Sequence, residues 1–296
     1  MIRGACLAML LAAGFAAHAQ EARYLQSVTW PQPSGQGGYS GIEVSADGQS
    51  FVAVSDNGNL LEGRLARTNG TLTGVADLRI GPLRAADGRQ LGKLLRDAEG
   101  LARDADGQLY VAFERHPRLR AYGPGRTVRD VTLPAGIADL PRNRQIEALA
   151  IAPDGTLLAF AESPRAGTNG FWLWLYDGSG WRVGPPVPRR GNLVPVGADF
   201  GPDGRLYLLE RVFRGIGFRS RVRRFAFQNG AFSAEEVLFE TPLGLHDNLE
   251  GLSVWQAPDG DLRLTMISDD NFSPLQRTEI VEYRVPQALA EPADSG

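Results

Sequence analysis

The stretch DAEGLARDADGQLYVAFER, residues 97–115, sets an acidic residue at the head of one apolar run and another at the tail of the next, with Asp-Gly between them. It returns in altered form as IEALAIAPDGTLLAFAES from Ile146 and LEGLSVWQAPDGDLRLTMISDD from Leu249, and more weakly from Ser40 and Gly197. The Asp of the Asp-Gly pair falls at 47, 106, 154, 203 and 259. A period near fifty residues marks an array of one supersecondary unit, and the fold follows from that unit.

Within each copy two short apolar runs flank the Asp-Gly turn, as in LYVAF at 109–113, which describes a hairpin. A third strand follows each time (LLEGRLA, RLRAYG, FWLWLYD, RVRRFAF, EIVEYRV), and four copies add a fourth (TLTGVADLRI, TVRDVTL, GWRVGPPV, AFSAEEVLF). The last copy runs out of chain, while RYLQSVTW at 23–30 stands unpaired ahead of the first. Four antiparallel strands per unit, repeated radially, form an all-β fold, a β-propeller. Five blades are expected, the last closed by the N-terminal strand so that no edge stays open. The segment 79–97 is the least repeat-like and leaves room for part of a sixth blade or a loop over one face.

Residues 1–19 run from a positive start through a short apolar core to Ala17-His18-Ala19, a pattern for a secretory signal cleaved near Ala19. Residues 20–296 are then one domain, expected to be periplasmic or secreted and monomeric. Cys6, the single cysteine, falls in the leader, so cysteine chemistry is excluded from the mature chain. The net charge of -3 gives no basic footprint for nucleic acid, and no later apolar run reaches membrane-spanning length. Lys93 is the only lysine; the other basic residues are arginine.

In a hairpin, the start of the first strand lies beside the end of the second. Glu99 is therefore expected beside Glu114, Glu147 beside Glu162 and Glu250 beside Asp269, all at one mouth, with Asp56 and Glu210 completing the ring. Ser40 and Val196 hold the position of the first-strand Glu in the two weaker copies. Crowded carboxylates must be protonated, paired with arginine or bound to a cation. With oxygen donors, no Cys and only His116 and His246 in the mature chain, the set favours Ca²⁺, and Mg²⁺ less, over Zn²⁺. The alternative is structural: each Glu satisfies backbone N–H groups of the next blade.

Other features are smaller. Asp104-Ala105-Asp106-Gly107 reads as a turn rather than a calcium loop, because the rest of the calcium pattern is absent. Gly38-Tyr39-Ser40-Gly41 is one residue short of a nucleophile elbow. His246 stands near Glu250 in sequence and is a candidate acid or base. Arg115, Arg144 and Arg211 accompany the acids, either in structural ion pairs or as clamps for an anion.

The ordered set Ser40-Gly41-Ile42, Asp97-Ala98-Glu99-Gly100-Leu101, Asn143-Arg144-Gln145-Ile146-Glu147-Ala148-Leu149, Leu208-Leu209-Glu210-Arg211, Asn248-Leu249-Glu250-Gly251-Leu252 and Ser268-Asp269-Asp270-Asn271-Phe272 resembles the phytase-like family, described as having esterase-like activity of phytase. The resemblance covers nearly all of the mature chain. It implies a secreted or periplasmic propeller with Glu and Asp motifs around a central site, and loosely a phosphoesterase or esterase. Ala148 departs from the pattern, where Gly follows the Glu. The chain also lacks the lysine-rich pocket that a highly phosphorylated inositol favours, which argues against phytate itself.

The expectation is thus a Ca²⁺-dependent hydrolase of a phosphate ester or related ester. Glu99, Glu147, Glu250 and Asp269 would hold metal; Arg115, Arg144 and Arg211 would bind the anionic substrate; Glu114 and His246 would be the catalytic acid–base candidates. Asp56, Glu162 and Glu210 are further members of the mouth. Two alternatives stand beside it: a non-catalytic propeller that binds a ligand or protein, and a metal-dependent lactonase. A narrow channel with fully paired acids favours the scaffold; three or more unpaired carboxylates favour metal.

Overall fold

The computed structural model describes residues 21–32 and 36–287; the leader expected over 1–19 lies outside them. Strand β1 (Arg23–Thr29) is followed by five sheets. The first holds β2 (Tyr39–Val44), β3 (Ser50–Ser55), β4 (Asn59–Thr68) and β5 (Thr71–Pro82), and the second β6 (Ala98–Arg103), β7 (Leu109–Phe113), β8 (Arg118–Tyr122) and β9 (Val128–Val131). The third holds β10 (Ile146–Ile151), β11 (Leu157–Pro164) and β12 (Gly170–Tyr176), with its outer strand broken into β13 (Trp181–Val183) and β14 (Val187–Pro188). In the fourth are β15 (Val194–Phe200), β16 (Leu206–Phe213), β17 (Phe218–Gln228) and β18 (Ala231–Glu240); in the fifth, β19 (Asn248–Gln256), β20 (Leu262–Asp269) and β21 (Glu279–Val285).

Every pairing is antiparallel, and the N-terminal strand closes the fifth blade, with Thr29 opposite Glu279 and Arg23 opposite Arg284. The inner strands β2, β6, β10, β15 and β19 contact one another in a ring around the axis. Residues 83–97 form a connection with a short 3-10 turn at Lys93–Leu95, so the blade count is five and no sixth begins there. No helix among the described residues is long and apolar enough to cross a membrane.

The Asp-Gly repeat is the turn chemistry of the far end. Gly48, Gly107, Gly155, Gly204 and Gly260 all take left-handed φ, from 68° to 86°, which an L side chain adopts only with strain. The carboxylates of Asp47, Asp154, Asp203 and Asp259 each accept the N–H two residues on; in the second blade Asp104 does so for Asp106. These are Asx turns, and the Asp104–Gly107 segment is one of them.

Because successive strand residues face opposite sides of a sheet, each blade feeds two cores. In β16, Leu206 and Leu208 pack towards the third blade while Tyr207 and Leu209 pack towards the fifth. Five apolar clusters result, one at each junction between blades. Blades therefore hold together by side-chain packing, where a Leu→Ala change costs about 2–5 kcal/mol.

Candidate functional site

Each inner strand carries a register shift at the same place, at Ser40, at Glu99 and Gly100, at Glu147, at Val196 and at Glu250. A bulge inserts an extra residue and re-aims its side chain. These are the first-strand positions expected from the repeat, now seen to be bulge positions. The residue after the bulge sits where inner strands approach closely: a Cβ on Gly251 would lie 2.8 Å from Ile42 N, and one on Gly197 2.5 Å from Glu250 O. Ala148 carries its methyl at the equivalent position, fully buried.

At the second-strand end, one residue per blade is tied to the residue preceding or opening the inner strand. Asp56, Glu114 and Glu162 donate their N–H groups to Gly38, Asp97 and Gln145, and Arg211 and Asp269 lie opposite Val194 and Asn248. Glu210 is therefore one residue out of phase, and Arg211 holds the fourth blade's position in the mouth. The correction has a period-2 cause: Glu210 shares the face of Leu206 and Leu208, whereas Arg211 shares that of Leu209 and turns towards the fifth blade. Glu210 is wholly buried, accepting Arg221 Nε at 2.8 Å and Arg223 Nε at 2.9 Å, with a second bond from Arg223. Counting eight residues on from Asp203, the spacing that separates Glu114 from Asp106 and Glu162 from Asp154, would have selected Arg211.

Side chains leave a blade on its faces, so second-strand ends also meet the next blade, not only their hairpin partners. Asp56 groups with Asp97 and Glu99, their oxygens all within 4.8 Å of one another. Glu114 hydrogen-bonds Glu147, and Arg211 donates to Glu250 at 2.7 Å. Asn248 donates to Glu250 at 2.8 Å and to Asp269 at 3.4 Å. Asp97, absent from the expected metal set, is engaged by Arg115 at 2.5 Å. Arg144 lies 3.8 Å from Glu162. His246 points elsewhere, bonding the Tyr283 hydroxyl at 2.9 Å within the fifth blade, 3.7 Å from Glu279. Ser40 is no nucleophile in waiting: its hydroxyl donates to the Ala98 carbonyl of the neighbouring inner strand.

Electrostatics follow from this crowding. Burial, then Asp269, Glu250 and Asp97, raises Asp56 to about 9; burial and Glu250 raise Asp269 to about 8 against the Asn271 N–H. Glu99 and Glu147 are pushed well above the carboxylate range by burial and then by each other's neighbourhood of acids. Glu114 reaches about 6, burial outweighing its bond with Glu147. Burial raises Glu162, opposed by Arg211 and Arg144.

One half of the mouth, Asp56, Asp97 and Glu99, suits a hard cation: all donors are oxygens, Asp56 Oδ1 is buried without a hydrogen-bond partner, and only Asp97 of the three has an arginine, Arg115, against it. In the other half, Glu250 is paired with Arg211. Below the ring the axis is pinched to a cavity of about 10 Å³ between Glu147, Glu250 and the inner strands, at the threshold for a single water. Beside the mouth a cavity of about 490 Å³ lies between Trp30, Gln32, Phe272 and Arg277. A wider opening, about 950 Å³, is at the opposite end near Glu43, Arg103 and Asp199. There Asp199 accepts the N–H groups of Val254 at 2.6 Å and Phe200 at 2.7 Å, clasping the fourth blade to the fifth.

Solved structures similar to this chain include a protein of unknown function from Dyadobacter fermentans (14% identity, TM-score 0.47, covering 88% of this chain and 86% of that one). Another is the PQQ-bound aldose sugar dehydrogenase of Streptomyces coelicolor (14% identity, TM-score 0.49, covering 90% and 98%). No curated protein matches the sequence. A family model matches residues 34–272, spanning every inner strand and every acid of the mouth, and the protein accordingly belongs to the phytase-like family, described as having esterase-like activity of phytase.

Proposed function

We propose that the protein is a cation-dependent hydrolase of phosphate esters or related esters, acting at the acidic mouth after export from the cytoplasm. The observation that carries this reading is the convergence of Asp56, Asp97 and Glu99 around an unpartnered, buried Asp56 oxygen. These three would hold Ca²⁺, or less readily Mg²⁺, with Glu147, Glu250 and Asp269 extending the set. When bound, the cation would neutralise the acids and polarise an ester oxygen.

The chain's own residues would do the rest. Arg211, whose Nε is buried and unpartnered, would donate to a substrate oxyanion and stabilise charge developing there; Arg115 and Arg144, both exposed, would guide an anionic group to the mouth. Glu114, held at about 6, is poised near neutral pH to take a proton from attacking water. The cavity of about 490 Å³ beside Trp30 and Phe272 offers room for the organic part of the substrate.

The pinched axis and the Arg211–Glu250 pair favour a second reading, a non-catalytic propeller that binds a ligand or protein. Turnover separates the two. Chelator-treated protein should hydrolyse an aryl phosphate, an aryl ester or a lactone only after Ca²⁺ is restored, and Glu99→Gln should lower that rate at least ~100-fold. Absence of turnover on all three, or a rate indifferent to Ca²⁺ and to Glu99→Gln, refutes the hydrolase; hydrolysis of the lactone alone would narrow it to a lactonase.

A further inference from the structure

The loops at the acidic end carry a pattern that the mouth does not explain. Among the most exposed large apolar residues are Leu275 (93%), Ile216 (91%) and Leu94 (60%). All three sit on loops at this end: Leu94 ahead of β6, Ile216 between β16 and β17, Leu275 between β20 and β21. Each has a cation within two residues, in Lys93-Leu94, Arg214-Gly215-Ile216 and Leu275-Gln276-Arg277. Among the described residues, no carboxylate lies within ion-pair distance of Lys93 or Arg214. Arg277 pairs with Glu279 yet remains half exposed.

Single exposed apolar residues are ordinary. Three on one face of a propeller, each beside a cation, form a different arrangement. We propose that these tips dock the acidic end of the propeller onto an anionic lipid surface. Aliphatic side chains would enter the boundary between headgroups and acyl chains, while Lys93, Arg214 and Arg277 would meet headgroup phosphates. Ile216 stands on a projecting Gly-Ile-Gly tip, which enters a soft surface more readily than it receives a peptide. A second copy is disfavoured because a two-fold contact would set the cationic tips of one copy against those of the other. The acids of the mouth have cations of their own beside them, Asp97 meeting Arg115, Glu162 lying near Arg144 and Glu250 meeting Arg211, which leaves Lys93 and Arg214 free to face outwards. A net charge of -3 gives the chain as a whole no attraction to an anionic membrane, so binding would report local cations such as these. Docking of this kind does not depend on turnover at the mouth.

The test is sedimentation of the mature chain with phosphatidylcholine vesicles, with and without phosphatidylglycerol at about a quarter of the lipid. Binding should require the anionic lipid, weaken with salt, and fall at least ~10-fold in a Leu94→Ser, Ile216→Ser, Leu275→Ser variant that keeps its melting temperature. Arg214→Ala should weaken it independently. Ile216→Ser alone keeps the test decisive if the triple variant misfolds. Absence of binding, or binding that survives the serine changes, overturns the proposal. So does a concentration-dependent dimer that the same changes abolish, which would make the face a self-association surface.

Discussion

Glu210→Gln should destabilise the fold while leaving cation binding intact. Glu210 is wholly buried and accepts three charge-assisted bonds, one from Arg221 and two from Arg223. Removing its charge leaves two buried guanidiniums short of an anion, a change that costs about 3–5 kcal/mol when one member of a buried pair is lost. Arg223 keeps Glu235 at 2.8 Å, and Arg221 keeps the Arg190 carbonyl at 2.8 Å, which places the effect near the lower limit, about 3 kcal/mol. For a chain of this size each kcal/mol moves the melting temperature by roughly 2–4 °C, so the midpoint should fall by roughly 6–12 °C. Differential scanning calorimetry reads the shift, and Ca²⁺ titration of the variant reads the site. Adding Arg223→Met to Glu210→Leu should recover part of the loss, because apolar residues of similar volume replace buried ion pairs at little cost. A midpoint within about 2 °C of the parent, below the cost of even a weak buried pair, would show that Glu210 does not hold the fold together, and a loss of Ca²⁺ affinity with the fold unchanged would place it in the site instead.

Other perturbations address the mouth and the ring of inner strands. Asp269 titrates at about 8 and Asp56 at about 9, both above the ordinary carboxylate value. The folded chain therefore holds protons that the unfolded chain has released, and this stabilisation, complete below pH ~4, is lost as pH rises through those values. Chelator-treated protein should lose stability from pH 5 to pH 8, on the order of 4 kcal/mol from Asp269 alone, and saturating Ca²⁺ should remove most of that slope; a urea midpoint that stays level or rises contradicts it. Gly251→Ala would press a methyl onto the backbone of the first blade, 2.8 Å from Ile42 N. It should cost about 1–3 kcal/mol by chemical denaturation, whereas Ala148→Gly, where a methyl is already accommodated, should cost no more than about 1 kcal/mol; equal effects would show that the approach of the inner strands is not tight.

The propeller was legible in the sequence because its signals are local and repeated. Asp-Gly at five positions fixes five left-handed turns, and the unpaired RYLQSVT had one place to go, beside β21. The mouth was legible as a place but not as a set of partners. Hairpin logic pairs Glu99 with Glu114, yet Asp56 of the preceding blade meets Glu99 and Asp97, because side chains project from blade faces towards neighbouring blades. The bulge at every inner strand left only a residue-count difference in the sequence. Glu210 was misplaced because an acid adjacent to the right position looks the same as one in it until the strand period is counted. His246 looked close to Glu250 in sequence, but its ring turns into the fifth blade against Tyr283.

If Asp56, Asp97 and Glu99 form a cation site, calorimetric titration of Ca²⁺ into chelator-treated protein should show it, with thermal unfolding followed alongside and Asp97→Asn as the control. Saturable heat is predicted, with a midpoint raised by the equivalent of about 2.7 kcal/mol at a hundredfold excess over Kd and with both responses weakened in Asp97→Asn. No heat and an unmoved midpoint would rule out the cation site and leave the acids as the protonated and paired seam of a scaffold.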